Sequence, residues 1–228
     1  MVAPASPVST RPYHPRTAAT DWTNRLARCI AGLALFGVGD ALILQARLGA
    51  APWDMLHQGI SRQLDASVGT VVIGTAVAVL LLWIPLRQRP GIGTILNALE
   101  IGLVVDLVLA HVPEANHLIG RVGVLIAGLL LVALGSGIYI GAGLGTGPRD
   151  GVMVGLSRRG ISVRLARTSI ELTVGVIGML LGSRLGPGTI VFMFGIGPLV
   201  QLMLPWTSLP PHRPTLETQP SVEAGGTE

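Results

Sequence analysis

Lysine is absent from this chain. All sixteen basic residues are arginine, scattered at the ends of apolar stretches and never gathered into a run. The net charge of +4 and the pI near 10.5 therefore leave no nucleic-acid footprint, which requires a clustered basic patch. Cysteine is nearly absent too. Cys29 stands alone, which excludes an intramolecular disulfide and a cysteine-based metal cluster. Charge of either sign is scarce, at 12% of residues against about 25% in ordinary soluble domains. The five histidines, His14, His57, His111, His117 and His212, form no i, i+4 pair and no other ligand spacing, so no metal is expected. Walker loops, nucleophile elbows and Ser/His/Asp groupings are also missing. Neither an enzyme nor a cofactor is expected.

What is present is apolar. Half the residues are hydrophobic and the mean hydropathy is +0.63, which places the chain among integral membrane proteins. Six stretches, near 26–46, 67–86, 93–110, 121–143, 165–182 and 188–206, approach or exceed the roughly 20 residues that cross a hydrocarbon core. Residues 1–24, rich in Pro, Thr, Ala and Arg, and residues 207–228, rich in Pro, Thr, Ser and Glu, read as disordered tails.

The chain carries one unusual motif twice. Leu48-Gly49-Ala50-Ala51-Pro52-Trp53-Asp54 returns ninety-six positions later as Leu144-Gly145-Thr146-Gly147-Pro148-Arg149-Asp150. The echo runs on through Gly59/Gly155, Ser61/Ser157 and Arg62/Arg158, giving seven identities in fifteen positions where chance gives roughly one or two. Upstream, Arg25, Gly32, Leu33, Gly39 and Ala46 match Arg121, Gly128, Leu129, Gly135 and Ala142. Downstream, Gly93-Thr94-Ile95 matches Gly188-Thr189-Ile190, and Ile101-Gly102 matches Ile196-Gly197, at an offset of ninety-five. Two halves follow, 25–110 and 121–206, joined by a loop at 111–120. Gly32, Gly39 and Ala46 recur every seven residues, a small-residue stripe that lets helix backbones approach closely in lipid.

Each half reads as long helix, motif, short helix, long helix, loop, long helix. The first short segment, Pro52 to Leu64, has thirteen residues and spans about 20 Å as a helix, too short for a core of about 30 Å. Met55, Leu56, Gly59, Ile60 and Leu64 fall on one helical face, and Asp54, His57, Gln58, Ser61, Arg62 and Asp65 on the other. That division predicts a re-entrant or interfacial helix. Three crossings per half then make the halves face opposite ways. With the N-terminus inside, twelve arginines lie on the cytoplasmic side and four outside, in line with the positive-inside rule. Counting the short helices as crossings gives eleven against five, so charge alone leaves eight spans open. Segment length and polarity favour six.

Several residues could carry chemistry. Pro52 and Pro148 suit first helical positions, and Asp54 and Asp150 complement the helix dipole in the first turn. That is a complete structural explanation. The functional alternative is a pair of half-helix starts facing one solute, with Arg149 beside them. Ser61, Arg62, Ser157 and Arg158 are candidates for solute contact, against a plainer role as snorkelling anchors. Asp40, Glu100, Asp106 and Glu171 lie inside expected spans, where an ionisable group is by default a functional candidate. Asn97 shares a helical face with Glu100, so these two join the solute set, whereas Asp40, Asp106 and Glu171 are candidates for ion or proton coupling. Asp40 aligns with Ser136 and Asp106 with Gln201, whereas Glu100 and Glu171 align with Gly195 and Ala76. Pairing with an arginine such as Arg28 or Arg167 is the structural alternative.

The run Gly143-Leu144-Gly145-Thr146-Gly147-Pro148-Arg149-Asp150-Gly151, with Gly155-Leu156-Ser157-Arg158-Arg159 after it, resembles the bacterial YczE-type membrane proteins of the YczE/YyaS/YitT group. Gly195-Ile196-Gly197-Pro198-Leu199-Val200-Gln201 resembles the last helix of the same family, and the similarity covers roughly 25–206. It implies a location in the bacterial cytoplasmic membrane and supplies no activity. The sequence therefore predicts an all-α integral membrane protein of six transmembrane helices in two inverted three-helix repeats, each with a broken helix, and with both termini cytoplasmic. Transport or permeation of a small solute between the repeats is the leading function. The competing reading is a non-transporting scaffold whose Gly/Ala faces hold a membrane partner or a second copy of the chain.

Overall fold

A computed structural model of the chain describes residues 18–209. Among these residues the regular elements are α-helices: α1 (Ala18–Ala46), α2 (Pro52–Leu64), α3 (Val68–Leu81), α4 (Trp83–Leu86), α5 (Ile92–His111), α6 (Leu118–Gly141), α7 (Pro148–Ser157), α8 (Val163–Leu180) and α9 (Pro187–Thr207). Five stretches are long and apolar enough to cross a membrane: Asp21–Ala46, Val68–Leu86, Ile92–His111, Leu118–Gly141 and Pro187–Thr207. The second of these joins α3 to α4 across a break at Leu82. Its cause is Pro85, which lacks an N–H and whose ring crowds the carbonyl four residues back, that of Leu81. The stretch expected at 165–182 is α8. Its first half carries Arg164, Arg167 and Glu171, which removes it from the apolar class.

The outside of the molecule is apolar. Leu81, Ile84, Leu107, Ile119, Phe194 and Trp206 all project outward, while Arg25, Asp40, Asp54 and His57 are buried. This reverses the arrangement of a water-soluble protein and is satisfied by lipid. The chain is a multi-pass, all-α membrane protein.

Residues 18–24, expected in the N-terminal tail, are instead the first turns of α1. At the other end, order extends past 206. Thr207 ends α9, its carbonyl accepts from Arg28, and the Leu209 N–H reaches the Gly141 carbonyl at 3.0 Å. The rest of both expected tails, 1–17 and 210–228, lies outside the described residues.

The small-residue stripes meet each other. A Cβ on Gly32 would lie 2.9 Å from the Gly135 carbonyl, and one on Gly39 would lie 2.6 Å from the Gly128 carbonyl. Since 32 pairs with 135 and 39 with 128, α1 and α6 run antiparallel where they cross. The motif turns interlock in the same reciprocal way. Gly49 and Gly145 adopt φ of +106° and +136°, a region that side-chain-bearing residues rarely occupy. The preceding carbonyls then point across the molecule. Leu48 accepts from the Gly188 N–H at 2.7 Å, and Leu144 from the Gly93 N–H at 3.0 Å. Each motif is thus fastened to the start of the other half's last helix, which explains why Gly93-Thr94 and Gly188-Thr189 recur along with it.

The short helices also reach into the other half. α2 packs chiefly on α8, and α7 on α3 and α4 as well as on α8 of its own half. Gly59 faces Leu181 and its counterpart Gly155 faces Leu86. Where one side is large its counterpart is small: Met55 of α2 lies on Gly178, and Gly151 of α7 lies on Trp83. This packing corrects the two-faced reading of α2. Its first six residues are buried all round, Asp54 and His57 included, and Leu64, expected on the packed face, is 69% exposed. The helix is inserted into protein at its start and leaves it at its end.

Candidate functional site

Both breaks open on one cavity of about 280 Å³. The N-cap residues of the two short helices, Ala51 and Gly147, border it, as do Trp53, Pro148, Arg149 and Asp150. Half-helix starts aim unsatisfied backbone N–H groups and the positive dipole end toward whatever lies in front of them. Pro52 and Pro148 occupy first helical positions, where a missing N–H costs nothing. Asp54, three residues past the Ala51 cap, lies in the first turn of α2 and interacts with the backbone of the cap, as a helix-start role requires.

Trp53 and Arg149 occupy equivalent positions of the repeat, and they touch. The Arg149 guanidinium carbon lies 4.8 Å from the Trp53 ring centroid, within cation–π range. The same arginine interacts electrostatically with Asp40, Asp54, Asp150 and Glu171. Arg167, one turn before Glu171 on α8, acts on Asp150 and Glu171 and lines the cavity with it. The polar face of α8 that keeps it out of the apolar class is therefore a cavity wall. On the opposite wall, a Cβ at Gly147 would meet Asn97 Nδ2 and Tyr139 OH at 3.4 Å and Asp150 Oδ2 at 3.5 Å. His57, Thr75, Ser136 and Gln201 add to the polar lining, and Phe36, Val72, Ile101, Val132, Phe192 and Ile196 supply apolar wall. Such a mixture of apolar surface with a few convergent polar groups is what small-molecule sites share.

Of the residues singled out in the sequence, the fold brings Pro148, Arg149, Asp150, Asn97 and Glu171 to the cavity. Asp54 and Asp40, 1% and 3% exposed, lie buried directly behind it beside His57. Pro52 starts α2 at its edge. Others lie elsewhere. Asp106 accepts the Gly69 N–H at 2.7 Å and the Ser67 hydroxyl, and so caps α3. Glu100 is half-buried on α5, close enough to act on Cys29, and is not among the residues that line the cavity. Ser61 and Arg62 close the far end of α2, donating to the carbonyls of Ala66 at 2.7 Å and Gly182 at 2.8 Å. Ser157 and the exposed Arg158 sit at the corresponding end of α7. Tyr139 and Arg167 were not anticipated as site residues. A tyrosine in an apolar helix reads as core, and Arg167 reads as a topology charge or as a structural ion-pair partner for an intramembrane acid, the partner role it holds toward Glu171. Ser136 and Gln201 had a legible signal, since each aligns with an acid of the other half.

The chain matches the model of a family of unknown function, DUF6198, over residues 23–205. An uncharacterised protein of Haemophilus influenzae is 37% identical over 88% of this chain and 95% of its own length. The uncharacterised membrane protein YczE of Bacillus subtilis is 32% identical over 77% of this chain and 83% of its own. YyaS of the same organism is 26% identical over 76% and 89%. No solved structure matches the chain. With the family model spanning nearly all the described helices and YczE and YyaS among its relatives, the chain belongs to the DUF6198 family of YczE-type bacterial membrane proteins.

Proposed function

We propose that this protein carries a small solute across the bacterial cytoplasmic membrane through the cavity between its two halves. One observation carries the reading: counterpart residues of the two motifs, Trp53 and Arg149, meet at 4.8 Å on the wall of a shared cavity. Paired broken helices whose starts face one site are the recurring plan of small-solute transporters. The cavity mixes cationic, anionic and apolar groups, which suits a small organic solute with at least one charged end. The reciprocal contacts of Gly32 with Gly135 and Gly39 with Gly128 support two inverted repeats, with α8 as a sixth crossing whose charged face turns inward. The same contacts bury the Gly/Ala stripes inside the α1–α6 crossing, so the surface on which a scaffold role would rest is already occupied.

Comparing the metabolite content of a strain lacking the gene with its parent is expected to reveal an accumulated or depleted small solute. Uptake of that solute by proteoliposomes holding the purified protein is expected to fall at least tenfold in Asp150→Asn, with the melting temperature within a few degrees of wild type. Asn keeps an oxygen acceptor, and the lost charge–dipole energy is typically about 0.3–1 kcal/mol. An unaltered metabolite profile, or full uptake by the Asp150→Asn protein, would overturn the reading.

Both termini are proposed to be cytoplasmic. In a Cys29→Ser background, a cysteine at Asn116 should react with an impermeant thiol reagent in whole cells, and one at Pro90 only after lysis. Both residues sit in exposed loops, between α5 and α6 and between α4 and α5 respectively. Labelling of both positions from outside would end the six-crossing arrangement.

A further inference from the structure

Behind the cavity lies a cluster that solute binding does not account for. Asp40 of α1 and Asp54 of α2 are both buried and interact through their carboxyl groups. Asp54 Oδ2 has no N–H or O–H donor in contact with it, and neither is there a partner for His57 Nδ1. Asp54 and His57 are each 1% exposed, so bulk water does not satisfy these atoms. Two carboxylate oxygens are both acceptors, and their contact becomes a hydrogen bond only when a proton lies between them. His57 Nδ1 stands 3.6 Å from Asp54 Oδ1, slightly beyond hydrogen-bond length, and His57 also lines the cavity. The charged groups outside the cluster that act on it are Arg149 of α7, on Asp40, Asp54 and His57, and Glu171 of α8, on Asp54.

We propose that Asp40 and Asp54 form a proton-binding site that holds one exchangeable proton, with His57 as the relay between that site and the solute cavity. The inference rests on the transport reading, for which it names the coupling ion. In the relay step the O–H bond of the Asp54 carboxyl breaks and its electron pair stays on the carboxylate. The lone pair of His57 Nδ1 takes the proton, with the other ring nitrogen already carrying its own hydrogen. A shift of a few tenths of an ångström brings donor and acceptor into transfer range. Solute and proton communicate through Arg149, which faces both. A bound metal ion fits less well: among the described residues no three His, Cys, Asp or Glu side chains are placed to hold one.

Infrared difference spectroscopy of the full-length protein in liposomes tests the site without a known solute. Wild type at neutral pH is expected to show the C=O stretch of one protonated carboxyl. That band should be lost in Asp40→Asn and in Asp54→Asn, and retained in Asp106→Asn, whose carboxylate caps a helix. Loss of the band on replacing choline chloride with sodium chloride at fixed pH would show a sodium ion in place of the proton and overturn the proposal. Absence of the band from wild type, or its persistence in both single variants, would do the same. Should either variant fail to fold, Asp40→Glu and Asp54→Glu keep the carboxyl and should shift the band instead of removing it; an unshifted band in both counts against the site. An acid-outside gradient is then expected to accelerate uptake of the solute in wild type and not in His57→Gln. Acceleration that survives in His57→Gln ends the relay role. Solute uptake without the carboxyl band ends the proton site and leaves transport standing; the band without any uptake ends transport and leaves the proton site.

Discussion

Gly135→Val is expected to abolish the folded protein. A Cβ at Gly135 would lie 2.6 Å from both the Gly32 carbonyl oxygen and the Phe36 nitrogen. Both are backbone atoms of α1, so no side-chain rotation can relieve the clash. α1 and α6 would have to separate along the whole crossing, releasing the reciprocal contact at Gly39 and Gly128 as well. Overpacking of a core typically costs about 1–3 kcal/mol and more where the backbone must move. In a domain held by only about 5–15 kcal/mol, the added bulk of valine against main chain should remove most of the stable population. Size-exclusion chromatography of the detergent-extracted protein checks this, with loss of the monodisperse peak as the expected result. Gly74→Val serves as the control, because a Cβ there meets nothing within 4 Å, and it should run as wild type. A Gly135→Val protein with a wild-type peak and melting curve would show that the backbone contact is not what holds the halves together.

Arg149→Ala should have the second largest effect, on stability and on uptake together. Among the described residues, Arg149 is the one cation that acts on Asp40, Asp54, Asp150 and Glu171 alike. Its removal leaves these acids with Arg167, which acts only on Asp150 and Glu171. Deleting one partner of a buried charge cluster costs about 3–5 kcal/mol, and the partial exposure of Arg149 places the expectation at the low end. Arg149→Lys keeps the charge and loses the planar stack on Trp53, a contact of about 0.5–2 kcal/mol. It should melt near wild type while uptake falls. Thermal unfolding of the purified protein and proteoliposome uptake measure the two effects separately. Wild-type melting and uptake in Arg149→Ala would remove this residue from the centre of the site.

Much of the candidate site is legible in the chain itself. The duplicated Gly-Pro-Asp break marked Pro148, Arg149 and Asp150, because a proline and an acid at a helix start leave a recognisable local pattern. Alignment of the halves marked Ser136 and Gln201 as positions that stay polar. Intramembrane position marked Asp40 and Glu171, since a charge in an apolar stretch needs a reason. The same rule selected Asp106, which turns out to cap α3, and Glu100, which does not line the cavity. Polarity within a span identifies a buried or capped group but not which of the two it is. The ends of the short helices misled for a related reason. Ser61/Ser157 and Arg62/Arg158 recur in sequence, yet they recur because both helices end alike, not because both ends meet.

By itself the sequence determined the membrane class, the two halves, the short helices and the family, all of which rest on local composition and on repetition along one chain. Tertiary structure alone decided that α2 packs on α8 and α7 on α3 and α4, that Leu48 and Leu144 fasten each motif to the opposite half, and that Trp53 meets Arg149. It also decided that Asp40 faces Asp54 across two helices. These are contacts between residues far apart in the chain. Periodicity gives the face of a helix but not its partner, and partners are chosen by which backbones can approach most closely. In this protein that choice is made where Gly32 and Gly39 lie against Gly135 and Gly128.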